Sequence, residues 1–491
     1  MRARVLLLVA AVLAPAPRTL DGTMGAVWPG TNAWTDDQEA AYGAFVALLG
    51  AAVEARRCDR LDACLRDPGA NSTYDPGVDA GLQLDVDCAD LPYVLRAYFA
   101  FKRDLPFGYV AATRGAAGWD ARVDIGIVPT AWRSWRSHAT PRALLREMTR
   151  TVHSGMFRMD GGVESDDFYP VRLDRAAVAP GAIFYDPYGH VSVVARVRED
   201  GVVHLLAGSP DGALAWKRFG SGYMLGPPSL GGGFKRFRPI GVVGGVVVRA
   251  RNEGLADFDA RGQYELARGR LPFFRAVRDA LTAPGVDFDP IADLEDQVAG
   301  LCHDVRDRVT AVELAVTSGM AARPHPGRIP DNIYTAESMW ELYATPARDA
   351  RLKASFRDLA DAVLSLDDVR DYAPLLRGAW ERAVAAPACR FTYRNSAGAD
   401  VPFTLDDVLD RVFDLSFDPY HCPEARWGQP EAPTCPDDEV KRTWYRWEQR
   451  LRNRIERSYG FPTPLEGGPE ERPAIDVRRL FGKRLGPEVQ L

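Results

Sequence analysis

Apolar residues in the first half of the chain recur at two different periods. Between residues 87 and 102, Leu91, Val94, Leu95, Tyr98 and Phe99 fall on one face of a helix running out of Asp87-Cys88. Residues 35–57 carry a second, Ala- and Leu-rich helical pattern, and the Pro68-Gly69-Ala70-Asn71-Ser72 run beyond it breaks the period. Strand-like segments follow at 122–128, 182–185, 190–197, 201–206 and 240–249, rich in Val, Ile and Phe and parted by turns such as Asp186-Pro187-Tyr188-Gly189. Helix beside antiparallel strands predicts an α+β domain over residues 25–250. After Arg249 helical spacing dominates, at 291–317, 350–366, 405–417 and 438–457, and Thr404-Leu405-Asp406-Asp407 is a well-formed helix start. The second domain, residues 251–491, is therefore predicted to be mainly helical, and a chain of 491 residues exceeds the usual size of one core.

Residues 1–20 read as an export signal: Arg2 and Arg4, then an apolar run over 5–13, then Ala14-Pro15-Ala16. Nine apolar residues are too few to span a bilayer as a helix, and no later run is long enough, so a periplasmic or secreted protein without an integral span is expected. A formal charge of -6 and a pI near 5.8 offer no basic footprint for a nucleic-acid partner.

Export changes the meaning of the seven cysteines. Local grouping pairs Cys58 with Cys64, Cys302 with Cys389 and Cys422 with Cys435, leaving Cys88 as an odd thiol. No Cys-x-x-Cys spacing exists and Cys302-His303 are adjacent, so these cysteines do not suggest a metal site. Cys88 is different in kind, because it stands at the first turn of a predicted helix, where free N–H groups and the dipole favour a thiolate. Pro92 suits that early position. A nucleophilic thiol needs a base. His190 leads a predicted strand after the Asp186–Gly189 turn, and His204 lies in the next strand, where hairpin pairing would set it beside His190 to orient the ring. Asp211, in Gly208-Ser209-Pro210-Asp211-Gly212, is the rival third residue or a turn former.

Asp-Cys opening a helix, then Pro180-Gly181 with apolar residues, then a strand-leading Gly189-His190-Val191 and a further histidine one hairpin on: over residues 80–215 this order resembles the NlpC-type cysteine peptidases, with CHAP amidases and transglutaminase-like hydrolases as wider relatives. The resemblance implies a papain-like fold, Cys88 as nucleophile, His190 as base and His204 as third residue, or Asp211 on a transglutaminase-like template. It also implies amide hydrolysis in cell-wall peptides without a cofactor. The chain departs from the pattern at Ala89 and Asp90, where the family has a small Ser-Gly pair, and in an insertion near 111–170. The alternative class is a catalytically inactive papain-like binding protein of the bacterial envelope.

The remaining motifs read as structure. Asp166-Asp167 and Glu470-Glu471 are expected to be solvated loop charges, Asn71-Ser72-Thr73 fits a glycosylation acceptor, and Trp340, Trp380, Trp444 and Trp447 are expected to pack between helices.

Overall fold

In the computed structural model, which describes residues 18–334, 338–366, 369–457 and 467–481 (side chains at 338 and 369–371 excepted), a six-stranded antiparallel sheet organises the first half. Its strands are β3 (Phe168–Pro170), β4 (Ile183–Asp186), β5 (His190–Val197), β6 (Val203–Gly208), β7 (Leu214–Arg218) and β8 (Gly233–Phe237), in the order β3-β8-β4-β5-β6-β7. A hairpin of β1 (Gly108–Arg114) and β2 (Val128–Ser134) and another of β9 (Ile240–Val243) and β10 (Val246–Arg249) flank it. The strand expected at 122–128 starts only at Val128. The Asp124 carboxylate accepts the N–H groups of Ala117, Trp119 and Ile125 and folds the preceding segment into a loop instead. The run 240–249 is two strands, because Gly244 and Gly245 both take positive φ (57° and 83°) and turn the chain.

Alternation along the strands decides what each face meets. Ile183, Tyr185, Val191, Val193, Leu206 and Trp216 share one core with α1 (Asp36–Glu54) and α2 (Asp90–Arg103). Phe184, Val194, Leu205 and Phe234 share another with Val277 and Leu281 of α3 (Phe273–Leu281). Residues up to 281, expected with the helical half, thus belong to the sheet, and the two halves divide nearer residue 290 than 250. Of the segment 1–20, residues 1–17 lie outside the described residues. Leu20 is buried in the sheet half's core, and Arg18 donates to the Phe101 and Lys102 carbonyls, so the packed domain already includes residue 18.

The second half is built on α4 (Pro290–Thr317), α6 (Pro346–Leu364) and α7 (Val369–Ala385), with the short α5 (Ser338–Tyr343) before α6. Leu294, Val298, Leu301 and Val305 of α4 meet Leu352, Phe356 and Leu359 of α6 and Trp380 of α7. One hairpin, β11 (Arg390–Arg394) with β12 (Asp400–Thr404), lies within the half expected to be mainly helical. Thr404 closes it and caps α8 (Leu405–Arg411) in a reciprocal box with Asp407, as that tetrapeptide predicts. The architecture is mixed α+β, and no described helix is long and apolar enough to cross a membrane. All three expected disulfides are present, with Cα separations of 5.2, 5.0 and 5.7 Å. Such bonds fit an extracytoplasmic location.

Candidate active site

Asp87 builds the start of α2. Its Oδ1 accepts the N–H groups of Ala89 (2.8 Å) and Asp90 (2.9 Å), and its carbonyl accepts that of Leu91, so the helical turn opens at Asp87 and includes Cys88. Asp90 Oδ2 returns a bond to the Asp87 N–H at 3.3 Å. Cys88 is the cysteine left outside the disulfides, and its own N–H donates to no protein group among the described residues. Gly208, at the end of β6, lets this turn approach the sheet, since a Cβ there would lie 2.4 Å from Asp87 O and 3.2 Å from Cys88 N.

Cys88 and His190 line one cavity of about 170 Å³ between the ends of β5–β7 and the helical half. Lys217 of β7, Arg348 and Arg351 of α6, Trp340 and Glu341 complete its charged and aromatic wall. Lys217 is held by Asp304 and Asp307 of α4, Arg348 by Asp307, and Arg457 by Asp186. Arg351 forms no ion pair or hydrogen bond among the described residues, which leaves a guanidinium available inside the cavity. Helical spacing at 350–366 gave no hint of this role, because only the fold brings α6 over β5.

Thiol and ring share the cavity, and no hydrogen bond joins them among the described residues. Cys88 Sγ donates to the Gly189 carbonyl at 3.7 Å, and the Val191 N–H faces the sulfur from the same stretch of main chain. Val191 packs under α2, whereas His190 belongs by alternation with Phe184 and Val194 on the opposite face. Its Nε2 is buried and has no hydrogen-bond partner. Burial, then the Asp87 carboxylate, with Glu341 and Asp90 behind it, push the Cys88 thiol well above its ordinary range. The expectation that the helix start favours a thiolate does not hold in the resting protein: burial and the Asp87 carboxylate that caps the same turn oppose that charge, and burial and Asp87 also raise the Asp90 carboxyl to about 8. Burial, then Arg351, Arg457 and Lys217, hold His190 well below its ordinary value, so both groups rest neutral.

No family model, curated protein or solved structure matches this chain. Chemistry at the site has to be argued from the groups present.

His204 does not stand beside His190. An irregularity in β5 between Val194 and Arg196 sets it opposite Arg196, its Nε2 bonds Asp296 of α4 at 3.1 Å, and its ring stacks on Trp216. Continuing the Val193↔Leu206 register towards the cavity brings Ser209 across from His190 instead. Asp211 is the turn former of the two expected alternatives: Oδ1 accepts Ala213 N–H and the carbonyl accepts Arg60 Nη1. The third-residue role therefore has no holder among the residues expected for it.

Two further expectations change. Asp166 and Asp167 are not solvated; they are 2% and 3% exposed, and Asp167 accepts from Tyr93 Oη, Val110 N–H and Trp132 Nε1, tying α2 to β1 and β2. Burial raises their carboxyls to about 6 and about 7. Asn71 is 1% exposed and its amide donates to Leu65 O and Tyr98 Oη, which removes it as a glycan acceptor. Trp340 and Trp380 pack as expected, but Trp447 is 61% exposed.

Proposed function

We propose that this protein is an exported cysteine hydrolase with a papain-like placement of α2 against its sheet, opening amide bonds of cell-wall peptides by acyl transfer. The observation that carries this reading is that Cys88, the single free thiol, and His190, remote in sequence, open onto one cavity. The sulfur attacks the amide carbonyl, the carbon–sulfur bond forms as the carbon–nitrogen bond breaks, and the thiol proton travels by way of His190 to the departing amine. Water then releases the acyl group. The unclaimed Cys88 N–H is placed to donate to the oxyanion, a role worth about 2.7–4 kcal/mol per donor in known hydrolases. Arg351 offers its guanidinium to a carboxylate of the substrate. Because the thiol rests protonated, its proton has to leave as substrate binds, so kcat/KM is expected to rise with pH beyond neutrality.

A catalytically silent envelope protein with the same core is the second reading, favoured by the Cys88 Sγ bond to Gly189 O in place of a bond to the ring. Digestion of purified sacculi by wild type, Cys88→Ala and His190→Ala separates the two. Fragment release that disappears in both variants supports the hydrolase; release equal in wild type and Cys88→Ala ends it. Absence of release by wild type, with iodoacetamide labelling of Cys88 that stays slow up to alkaline pH, leaves the binding protein.

A further inference from the structure

Charges around the cavity are sorted by sign. Asp87, Glu341 and Asp90 lie towards Cys88, whereas Arg351, Arg457, Lys217 and Arg348 lie towards His190. Resting on the hydrolase reading above, we propose that the cavity takes the C-terminal residue of a peptide, that Arg351 holds its free α-carboxylate, and that the protein removes one residue at a time from the carboxyl end.

Three of the four cations near His190 are already matched. Lys217 has Asp304 at 2.9 Å and Asp307 at 2.8 Å, Arg348 has Asp307 at 3.3 Å, and Arg457 has Asp186. Arg351 makes no ion pair or hydrogen bond among the described residues, and Asp307 is already shared by two other cations. An anion entering this end therefore meets a guanidinium whose pairing displaces no partner. The stem of Arg351 is packed: a Cβ on Gly222 would lie 3.2 Å from Arg351 Cγ and 3.3 Å from its Cα. Arg122, the cation on the Cys88 side, is taken by Asp120 and Glu341.

His190 decides which side of the amide carries the carboxylate. In acyl transfer the ring hands a proton to the departing nitrogen, so the leaving fragment lies on the ring's side of the sulfur. After burial, Arg351 is the foremost group that holds this ring neutral, so the carboxylate it meets belongs to the leaving fragment. In a C-terminal residue only the α-carbon separates the departing nitrogen from the carboxylate, and one short cavity seats both. Size agrees: about 170 Å³ is well below the ~300–1,000 Å³ of sites that enclose a drug-sized ligand. On the side of the helical half, buried Ile333, Trp340, Ala344 and Thr345 leave no path for a continuing chain. The carbon–sulfur bond forms as the carbon–nitrogen bond breaks, and the thiol proton departs on the nitrogen of a free amino acid. Water then cleaves the thioester, returning a proton to sulfur and leaving a carboxylic acid on the shortened peptide.

The test uses muropeptides freed from sacculi by a muramidase, either untreated or with their carboxylates converted to amides, and follows the products by mass spectrometry. Wild type should release single amino acids from the carboxyl end of the untreated set, with kcat/KM at least about 30-fold lower on the amidated set. Arg351→Gln should lose a similar factor on the untreated set and stay within a few-fold of wild type on the amidated set, where a merely structural defect would lower both. Arg351→Lys should regain part of the loss. Wild type that cuts both sets alike, that cuts only inside the peptide, or whose preference for free carboxylates survives in Arg351→Gln overturns the inference and leaves the hydrolase standing. No product from either set ends the hydrolase reading and this inference together.

Discussion

Arginine and lysine answer irregular backbone carbonyls on both sides of the cavity, but only one side also has a large strand ladder among the described residues. In the sheet half, six strands pair N–H with C=O in one continuous ladder, and charged side chains such as Lys217 and Lys235 are buried within it. In the helical half the chain beyond α8 has little regular structure, and arginine and lysine reach in to its carbonyls. Arg308 and Arg426 both donate to Ser416 O, Lys353 to Arg452 O and Arg454 O, and Arg377 to Phe481 O. Arg308, Arg426 and Arg452 are at most 1% exposed. An irregular segment can be buried only if something satisfies its polar backbone, and the five-donor guanidinium does so while its charge is met by carboxylates such as Asp349. The abundance of arginine, which composition leaves unexplained, has a structural use here.

That contrast makes the helical half the more dependent on individual bonds. Its Cys302–Cys389 disulfide closes an 87-residue separation, against 6 for Cys58–Cys64 in the sheet half. Replacing the first pair by serine should cost about 4–5 kcal/mol and the second about 2–3; equal urea midpoints for the two variants would break the comparison. Asp349→Ala strands the Arg308 guanidinium, and the expected loss is about 3–5 kcal/mol by denaturant unfolding. In the sheet half Gly208→Ala forces a methyl against Asp87 O. We expect about 1–3 kcal/mol from overpacking, and a changed Cys88 alkylation rate as the α2 turn is pushed off the sheet. The smallest effect sharpens the electrostatic side. His190 has a folded-state value below its unfolded one, so the unfolded chain takes up the proton first. Stability is whole above about pH 6.5 and drains below it by at most about 1.4 kcal/mol per pH unit. His190→Asn should flatten that acid limb in urea titrations at pH 7 and 5.5.

The candidate site was legible in its parts and not in its assembly. Cys88 at a helix start, His190 at a strand start and an odd thiol follow from local spacing and from counting, whereas the pairing of Cys302 with Cys389 across 87 residues rests on the fold. The contact expected between thiol and ring does not follow, because strand alternation turns His190 from α2, and the register of the β5–β6 hairpin sets Ser209 rather than His204 across from that ring. Asp167 looks like a loop charge in sequence, since its donors Tyr93, Val110 and Trp132 come from segments tens of residues distant.

Period, capping residues and cysteine parity were enough, by themselves, to determine the mixed α+β character, the helical second half and that one thiol is left over, because each depends on neighbours within a few positions or on arithmetic. Only tertiary structure decided which charges lie beside Cys88, that Arg351 joins the wall of the cavity that His190 lines, and that His421 is enclosed by Asp437 and Glu448. Protonation and ion pairing depend on distances of a few ångströms between residues far apart along the chain, and those distances do not exist until the two halves pack.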